Sequence, residues 1–381
     1  MKRVFAITIL NNFVSGGLAL TIPLLLLDRN VNLAEIGIVI SILPLVFLVV
    51  RLLFSAFADK LGWASFFILL NWPGTLFSTA IYFFANSTYA FLLGKIVEGV
   101  KESSYWAVIR TTIFSLSPKQ KAKEATKNHA FILLSNAFGG AVSGLGIAYM
   151  GFSHTLGIMI IASTIIGIPA AFLWYTEKRD SRPQDLSAIA SLDPRGKGKT
   201  FWLVSLTLSL FSLAQYPLIT LVLPVFMAQQ LRYDYSLIGT VLMLYYLVSS
   251  FAAFSTLKMP LGVGRVATQC LIALFAAFLL ANSSIYFLPL FLALALVHGL
   301  GIGLYEFMIA KAILNRLTVS VDIGLLMIPT RLAEFTSVLF AGFVAQSLGY
   351  APIFAASGIF FTAFSMLSFY VIKKDVKGNL R

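Results

Sequence analysis

The chain has 381 residues and a formal net charge of +13, with 59% hydrophobic and only 11% charged residues. A soluble globular domain carries about 25% charged residues because water must hydrate its surface, so this composition excludes a soluble domain and indicates an integral membrane protein. The Lys and Arg residues lie in short clusters between apolar runs, which is typical of membrane topology and excludes a nucleic-acid-binding face.

Apolar runs of membrane-spanning length follow one another from the N-terminus. A helix crosses the bilayer core in about 20 residues. The first run, Val4 to Leu27, is too long for a signal peptide and no Ala-x-Ala cleavage site follows it, so we expect it to be retained as the first span. The predicted spans cover residues 4–27, 33–54, 64–85, 88–115, 129–150, 154–176, 200–228, 235–256, 266–287, 289–315, 323–346 and 350–372.

These runs predict an all-α integral membrane protein with twelve transmembrane helices. We expect an N-terminal six-helix bundle (1–176), a linker (177–199), and a C-terminal six-helix bundle with a short tail (200–381). Matching residues at a nearly constant offset, such as Phe54-Ser55 and Phe254-Ser255, indicate that the two bundles are pseudo-symmetric repeats. Repeats of this kind place the solute near the middle of the bilayer, between the halves.

Lysine and arginine are distributed very unequally between the two sets of loops. If the N-terminus is cytoplasmic, the outer loops receive only Arg29 and Arg232, and the other loop Lys and Arg residues lie inside. Because positively charged loops stay in the cytoplasm, this asymmetry predicts a multi-pass protein of the cell membrane with both termini cytoplasmic.

The loop between the second and third predicted spans carries the most specific motif. It reads Ser55-Ala-Phe-Ala-Asp59-Lys60-Leu-Gly62 and resembles the loop signature of the major facilitator superfamily, G-x-x-x-D-R/K-x-G-R/K. Asp59, Lys60 and Gly62 match this signature. Ser55 replaces its first glycine, and Trp63 stands in place of its second basic residue.

The resemblance implies two six-helix bundles and secondary transport by alternating access. It also implies that Asp59, Lys60 and Gly62 belong to a conformational gate that holds the halves together when the site faces outward. Arg110, near the end of the fourth span, and the helix start near Asp322 are the candidate partners of Asp59. The alternative is that Asp59 is an ordinary solvated carboxylate in a loop.

Ionisable residues inside the predicted spans are the candidates for solute binding and proton coupling, because a charge at membrane depth costs about 2.5–3.5 kcal/mol on insertion scales. Lys95, Glu98 and Glu102 lie on one face of the fourth span. Part of this stretch, Lys95-Ile-Val-Glu98-Gly99, resembles the family motif R-x-x-Q-G. The other candidates are His298 and Glu306 in the tenth span and Arg331 and Glu334 in the eleventh.

Two carboxylates are preferred as proton-exchanging groups. Glu102 and Glu306 occupy matching positions in the two repeats, and we expect both to flank a central cavity. Arg331 and Glu334, three residues apart on one helix, can pair with each other. The alternative for all of these charges is a structural network that joins helices, although desolvation makes a buried ion pair a poor stabiliser.

The predicted function is secondary active transport of a small solute. Proton-coupled antiport of small amphipathic compounds out of the cell is favoured, because acidic groups are expected to face an aromatic cavity. One alternative is proton-coupled uptake of a polar or anionic metabolite, which an unpaired Lys95 and Arg331 would favour. Another is a non-transporting sensor or assembly protein with the same fold.

The sequence lacks the common catalytic motifs. It contains no phosphate-binding loop, no metal-ligand spacing and no nucleophile motif, so we predict neither an enzyme nor a cofactor or metal site. The expected partners are a small-molecule solute, protons and membrane lipids, with no nucleic acid and with a monomer as the working unit.

Overall fold

The computed structural model describes residues 2–61, 64–114, 116–177, 194–259, 262–282, 285–313 and 319–378, and its regular structure in these ranges is entirely helical. The helices are α1 (Lys2–Asp28), α2 (Leu33–Leu61), α3 (Ala64–Phe84), α4 (Thr88–Phe114), α5 (Pro118–Ile165), α6 (Gly167–Glu177), α7 (Lys199–Pro217), α8 (Leu223–Gln229), α9 (Tyr235–Ser255), α10 (Val263–Asn282), α11 (Phe287–Ala312), α12 (Val319–Leu326), α13 (Ile328–Leu348) and α14 (Ala351–Gly378). A π-helical turn, Leu218–Val222, joins α7 to α8.

Ten stretches of the described chain are long and apolar enough to cross a membrane. One of them, Gln120–Phe172, has 53 residues and turns back at Gly151, whose φ of 80° is favoured by glycine and breaks the helix. Gly17 in α1 packs against both Ser143 and Met159, which lie eight residues before and after this turn. The stretch is therefore an antiparallel pair of spans.

The fourth predicted span, α4, is not among the ten apolar stretches. Its helix has 27 residues, as many as α1, but its central turns carry several charged side chains. With α4 and the antiparallel pair, the structure provides a helix for each of the twelve predicted spans. The predicted all-α membrane fold is confirmed.

Helix ends differ from the predicted span ends where a helix continues beyond its apolar run. α5 begins at Pro118, eleven residues before the predicted start at 129, and α14 continues six residues past 372. Both extensions are rich in Lys, which is a good helix former but poorly soluble in lipid. Hydropathy therefore marks the part of a helix inside the membrane and not the whole helix.

The predicted linker falls largely outside the described part of the chain. Residues 178–193 belong to the undescribed ranges, so the division into bundles at 1–176 and 200–381 stays a prediction. At the described end of the linker, Lys197 Nζ lies 2.6 Å from Asp322 Oδ1. We call the end of the bundle at which α1 begins the proximal face, and the end at which α1 finishes the distal face.

At the distal face, the two halves of the structure, α1–α6 and α7–α14, approach each other through glycines. A Cβ added to Gly144 of α5 would lie 2.7 Å from Cα of Gly239 in α9, and one added to Gly342 of α13 would lie 2.9 Å from Cα of Gly37 in α2. Because only glycine permits backbones to pack this closely, these two contacts set the separation of the halves at the distal face. Gln346 Oε1 adds a hydrogen bond, accepting from the backbone N–H of Ala34 at 3.0 Å.

At the proximal face the halves contact each other mainly through side chains. Lys121 of α5 donates to the carbonyl of Ile313 at the end of α11, and Ser250 Oγ of α9 donates to the carbonyl of Ala130 at 2.9 Å. Ser55 of α2 packs against Gly324 of α12. The halves are thus in contact on both sides of the molecular centre.

Three of the predicted gating residues cannot be placed. The side chains of Asp59 and Lys60, and Gly62 itself, lie outside the described residues, so their predicted network stays a prediction. The fourth, Arg110, lies in the described part of α4.

Gly239→Leu should force α5 and α9 apart at the distal face, because even a Cβ at this position would lie 2.9 Å from Cα of Gly144. The reporter is a Thr220→Cys thiol in the cavity between the halves, on a Cys270→Ala background. We expect maleimide to label this thiol on the order of tenfold faster in the Gly239→Leu variant than in the same protein with Gly239. This ratio corresponds to a change of about 1.4 kcal/mol in the free energy of opening. Stopped-flow labelling of the purified protein measures the rate.

Gly157→Leu is the matched control, because nothing lies within 4 Å of an added Cβ at that position. Its labelling rate should equal that of the parent. If Gly239→Leu destabilises the protein, Gly342→Leu tests the second glycine contact. Unchanged labelling in both variants would contradict the role assigned to the glycines.

Candidate functional site

A cavity lies at the centre of the bundle, between the two halves. It consists of two overlapping parts of about 210 Å³ and about 180 Å³, the second closer to the proximal face. The parts share a wall formed by Trp106, Ile132, Asn136, Tyr216, Ile219, Tyr246 and Arg331. Because these residues come from both halves, a change in the angle between the halves would change the shape of the cavity.

The predicted stripe on α4 faces this cavity. Lys95, Glu98 and Glu102 all line its distal part. Lys95 Nζ lies 2.8 Å from Glu98 Oε2, which also accepts a hydrogen bond from the Tyr82 hydroxyl at 2.6 Å. The charges of Lys95 and Glu98 therefore cancel at the cavity wall.

Glu102 is held by partners outside the stripe. Its Oε1 lies 2.7 Å from Lys101 Nζ and accepts a hydrogen bond from Ser15 Oγ at 3.0 Å. Lys101 is fully buried and packs against Gly74 of α3, away from the cavity, as its position on the helix predicts. In the described part of the chain, the contacts of Glu102 all use Oε1.

The opposite wall carries the predicted pair on α13. Arg331 Nη1 lies 2.5 Å from Glu334 Oε2, and Ser212 Oγ donates to Glu334 Oε1 at 3.1 Å. The Arg331 guanidinium stacks over the ring of Phe47, which belongs to the other half, at 4.0 Å from its centroid. Arg331 Nε is buried and has no hydrogen-bond partner among the described residues. The predicted pairing of Arg331 with Glu334 is therefore observed.

Aromatic rings complete the wall. Phe47 and Trp106 come from one half, and Tyr216 and Tyr246 from the other. The π-helical turn that follows Pro217 adds Ile219 and Thr220. Such turns widen a helix locally and are frequent at functional sites.

Glu306 was expected to line the cavity together with Glu102, but it is not part of the cavity wall. It is fully buried beside the cavity, bound by two residues of the other half. Its carboxylate pairs with the Arg110 guanidinium, at 2.7 Å from Nη2, and its Oε1 lies 2.7 Å from His129 Nδ1. The physical reason is that Arg110 on α4 pairs with this carboxylate and His129 on α5 binds the same group, so Glu306 is held at the contact between the halves and does not face the cavity. We call Arg110, His129 and Glu306 the interhalf triad.

Sequence reasoning missed His129 and the pairing of Arg110 with Glu306. His129 has no local motif, because its partner is 177 residues away in sequence. Arg110 was one of two candidate partners of Asp59, a pairing that stays a prediction because the Asp59 side chain lies outside the described residues. The described contacts of Arg110 are with Glu306 and with the rings of Trp106 and Phe114. The cavity is lined by Arg110 and His129, so the interhalf triad meets it from the proximal side.

His298 lies in the core of the second half and not in the cavity wall. Its Nδ1 lies 2.7 Å from the Tyr245 hydroxyl, which accepts a hydrogen bond from Gln215 Nε2 at 3.2 Å. Phe211 and Phe361 pack around the imidazole. Since Gln215 lines the cavity, His298 is connected to it by two hydrogen bonds.

The interhalf triad brings His129 close to Glu306, two residue types that bind metals elsewhere. Within the described ranges, no three His, Cys, Asp or Glu side chains lie close enough to hold a metal ion.

Comparison with solved structures reveals the same fold in several transporters. The human organic anion transporter MFSD10 (TETRAN) has a TM-score of 0.70 and 16% identity, covering 96% of this chain and 98% of its own. A bacterial homologue of the iron transporter ferroportin, in an outward-facing state, has a TM-score of 0.72 and 12% identity, covering 98% and 99%. A bacterial homologue of the human lysosomal transporter Spinster, inward-facing and unoccupied, has a TM-score of 0.67 and 14% identity, covering 98% and 96%.

At these identities the structural likeness establishes the fold alone. No curated protein sequence matches the chain. The sequence profile of the Major Facilitator Superfamily, by contrast, matches residues 4–318, which is most of the chain. The protein therefore belongs to the Major Facilitator Superfamily and is a multi-pass membrane transporter, not an enzyme.

Proposed function

We propose that this transporter is a proton-coupled exporter of small amphipathic compounds that works by alternating access. The observation that carries the proposal is the neutral wall of the cavity. Each of the three Lys or Arg side chains in its described wall, Lys95, Arg110 and Arg331, is paired with a glutamate. Such a wall attracts anions weakly, and its aromatic rings favour a neutral or cationic solute that carries a ring.

Glu102 is the carboxylate best placed to receive a cationic group. It lines the cavity from the same side as Trp106, one helical turn away on α4. Because Lys101 and Ser15 both bind Oε1, the second oxygen is left for a solute. A cation bound between this oxygen and the aromatic rings would combine an ion pair with cation–π attraction.

The interhalf triad supports proton coupling. If the proximal face opens, Glu306 must part from Arg110 and His129, which belong to the other half. A buried carboxylate that loses both partners is costly, by about 3–5 kcal/mol when a buried pair is broken. A proton on Glu306 removes that charge, so proton binding and proximal opening favour each other. Release of the proton would then restore the closed triad.

Orientation follows from the distribution of charge. In the described chain, the Lys or Arg residues at the distal ends of the helices are Arg29 and Arg232, whereas the proximal ends carry Lys121, Lys123, Lys127, Lys197, Lys258 and Arg265. We therefore assign the proximal face to the cytoplasm and the protein to the cell membrane. Proximal opening then exposes the cavity to the cytoplasm, and distal opening exposes it to the outside.

A second candidate, uptake of an anionic metabolite, has one observation in its favour. Arg331 Nε is buried at the cavity with no partner in the described chain, so a carboxylate could bind there. The likeness to the human organic anion transporter is consistent with this alternative, although it extends to the fold alone.

Glu102→Gln should reduce proton-driven flux of lipophilic cations by on the order of tenfold, because it removes the negative charge that binds the cation. The assay uses purified protein in vesicles with an imposed pH gradient and a panel of fluorescent cations and aromatic carboxylates. Glu124→Gln is the control, since Glu124 pairs with Lys127 outside the cavity. Equal flux in the Glu102→Gln variant and the parent would contradict the proposed site.

Arg331→Gln distinguishes the two candidate functions. It removes the cation beside Phe47 and leaves Glu334 without its cationic partner. For an exporter of amphipathic cations, we expect cation affinity to be kept or increased. Equilibrium binding to the purified protein would show this directly. Anion uptake would be favoured instead if the parent binds no cation and if Arg331→Gln lowers the affinity for carboxylates by about tenfold or more.

Glu306→Gln imitates the protonated carboxylate and should release the interhalf triad. Because maleimide reacts with the thiolate, each labelling rate is divided by the rate of a free thiol at the same pH. On this scale, we expect a Gln215→Cys thiol at the proximal part of the cavity to be labelled about tenfold faster than in the parent, with a ratio that no longer depends on pH. In the parent, this ratio should rise as the pH falls. Glu35→Gln, an exposed carboxylate at the distal face, is the control and should keep the pH dependence. If labelling of the Glu306→Gln variant also kept its pH dependence, a group other than Glu306 would carry the proton.

A further inference from the structure

A second cavity, of about 370 Å³, lies at the proximal face. It shares no lining residue with the central cavity. Its wall is formed by the start of α5 from the first half and by α11, α14 and the α9–α10 connection from the second. It is therefore another place at which a bound molecule would contact both halves.

The charge of this cavity is positive. Lys123 of α5 and Arg265 of α10 line it, and no Asp or Glu does so among the described residues. Arg265 has weak partners, since its Nη1 and Nη2 donate to the carbonyls of Met259 and Leu300 at 3.3 Å and 3.5 Å. Its Nε is buried and has no partner in the described chain. A guanidinium in this condition favours an anionic ligand, which would supply the missing charge-assisted hydrogen bonds.

The rim of the cavity is apolar and exposed. Met259 is 49% exposed and Phe307 is 43% exposed, and both line the cavity. Leu257, Leu304 and Ile372 add further apolar surface. The cavity lies near the ends of the membrane-spanning helices, where lipid headgroups meet the acyl chains. A cationic centre with an apolar rim at this depth matches an amphiphile better than a soluble anion.

We propose that this cavity binds an anionic phospholipid, with the phosphate between Lys123 and Arg265 and an acyl chain along Met259 and Phe307. Basic pockets between membrane helices are suited to such headgroups. Because the two cations belong to different halves, the phosphate bridges α5 and α10 and stabilises the closed proximal face. The site is separate from the solute cavity and does not depend on which solute is carried.

Thermal unfolding of the full chain in a neutral detergent tests the site. We expect phosphatidylglycerol to raise the Tm by at least about 3 °C more than phosphatidylcholine or inorganic phosphate does. Native mass spectrometry should show phosphatidylglycerol retained on the protein. An equal response to phosphatidylcholine, whose choline cation neutralises its phosphate, would overturn the preference for a headgroup of net negative charge. An equal response to inorganic phosphate would overturn the assignment to a lipid.

Charge-removing variants locate the site. Arg265→Gln and Lys123→Gln should each lose most of the additional Tm shift and of the retained lipid. Lys258→Gln is the matched control, because Lys258 is exposed on the same α9–α10 connection but does not line the cavity. If Arg265→Gln folds poorly, Lys123→Gln decides the outcome, since the Lys123 side chain is exposed. The proposal is overturned if Lys258→Gln loses as much of the shift as Lys123→Gln does.

Discussion

Charges carried into the interior of a lipid-embedded bundle must be neutralised nearby, because neither lipid nor packed protein solvates them as water does. The centre of this protein holds four glutamates and four Lys or Arg residues in close pairs: Lys95–Glu98, Lys101–Glu102, Arg110–Glu306 and Arg331–Glu334. In three of these pairs, both residues belong to the same helix: two pairs lie on α4 and one lies on α13. Arg110–Glu306 instead joins the two halves, so a relative movement of the halves at the proximal face strains or breaks this pair.

The two faces of the bundle are closed by different physical means. At the distal face, the pairs Gly144–Gly239 and Gly37–Gly342 bring helix backbones into contact, and this closure depends on shape. At the proximal face, the interhalf triad and the hydrogen bond from Lys121 to the carbonyl of Ile313 depend on charge. Under the mechanism and the lipid site proposed above, closure by charge would respond to protons and to anionic lipids, whereas closure by glycine contacts would not. The proposals therefore assign regulation to the proximal face.

The predicted internal repeat is more symmetric in sequence than in chemistry. Glu102 and Glu306 occupy matching positions on α4 and α11, yet Glu102 faces the cavity and Glu306 is bound by the opposite half. The reason lies in their neighbours. Glu102 is paired with Lys101, the preceding residue of its own helix, whereas Glu306 meets Arg110 and His129 across the interface. One carboxylate is thereby suited to bind solute and the other to sense the movement of the halves.

The sequence by itself determined the membrane fold, the number of spans and the family, because hydropathy and the loop motif are local properties of the chain. It also placed Lys95, Glu98 and Glu102 on one face and paired Arg331 with Glu334, since helix geometry fixes the positions of residues three and four apart. Only the tertiary structure decided that Arg110 binds Glu306, that His129 joins them, and that His298 lies in the core. These contacts join residues far apart in sequence, and their formation depends on how α4, α5 and α11 pack, which no local pattern specifies.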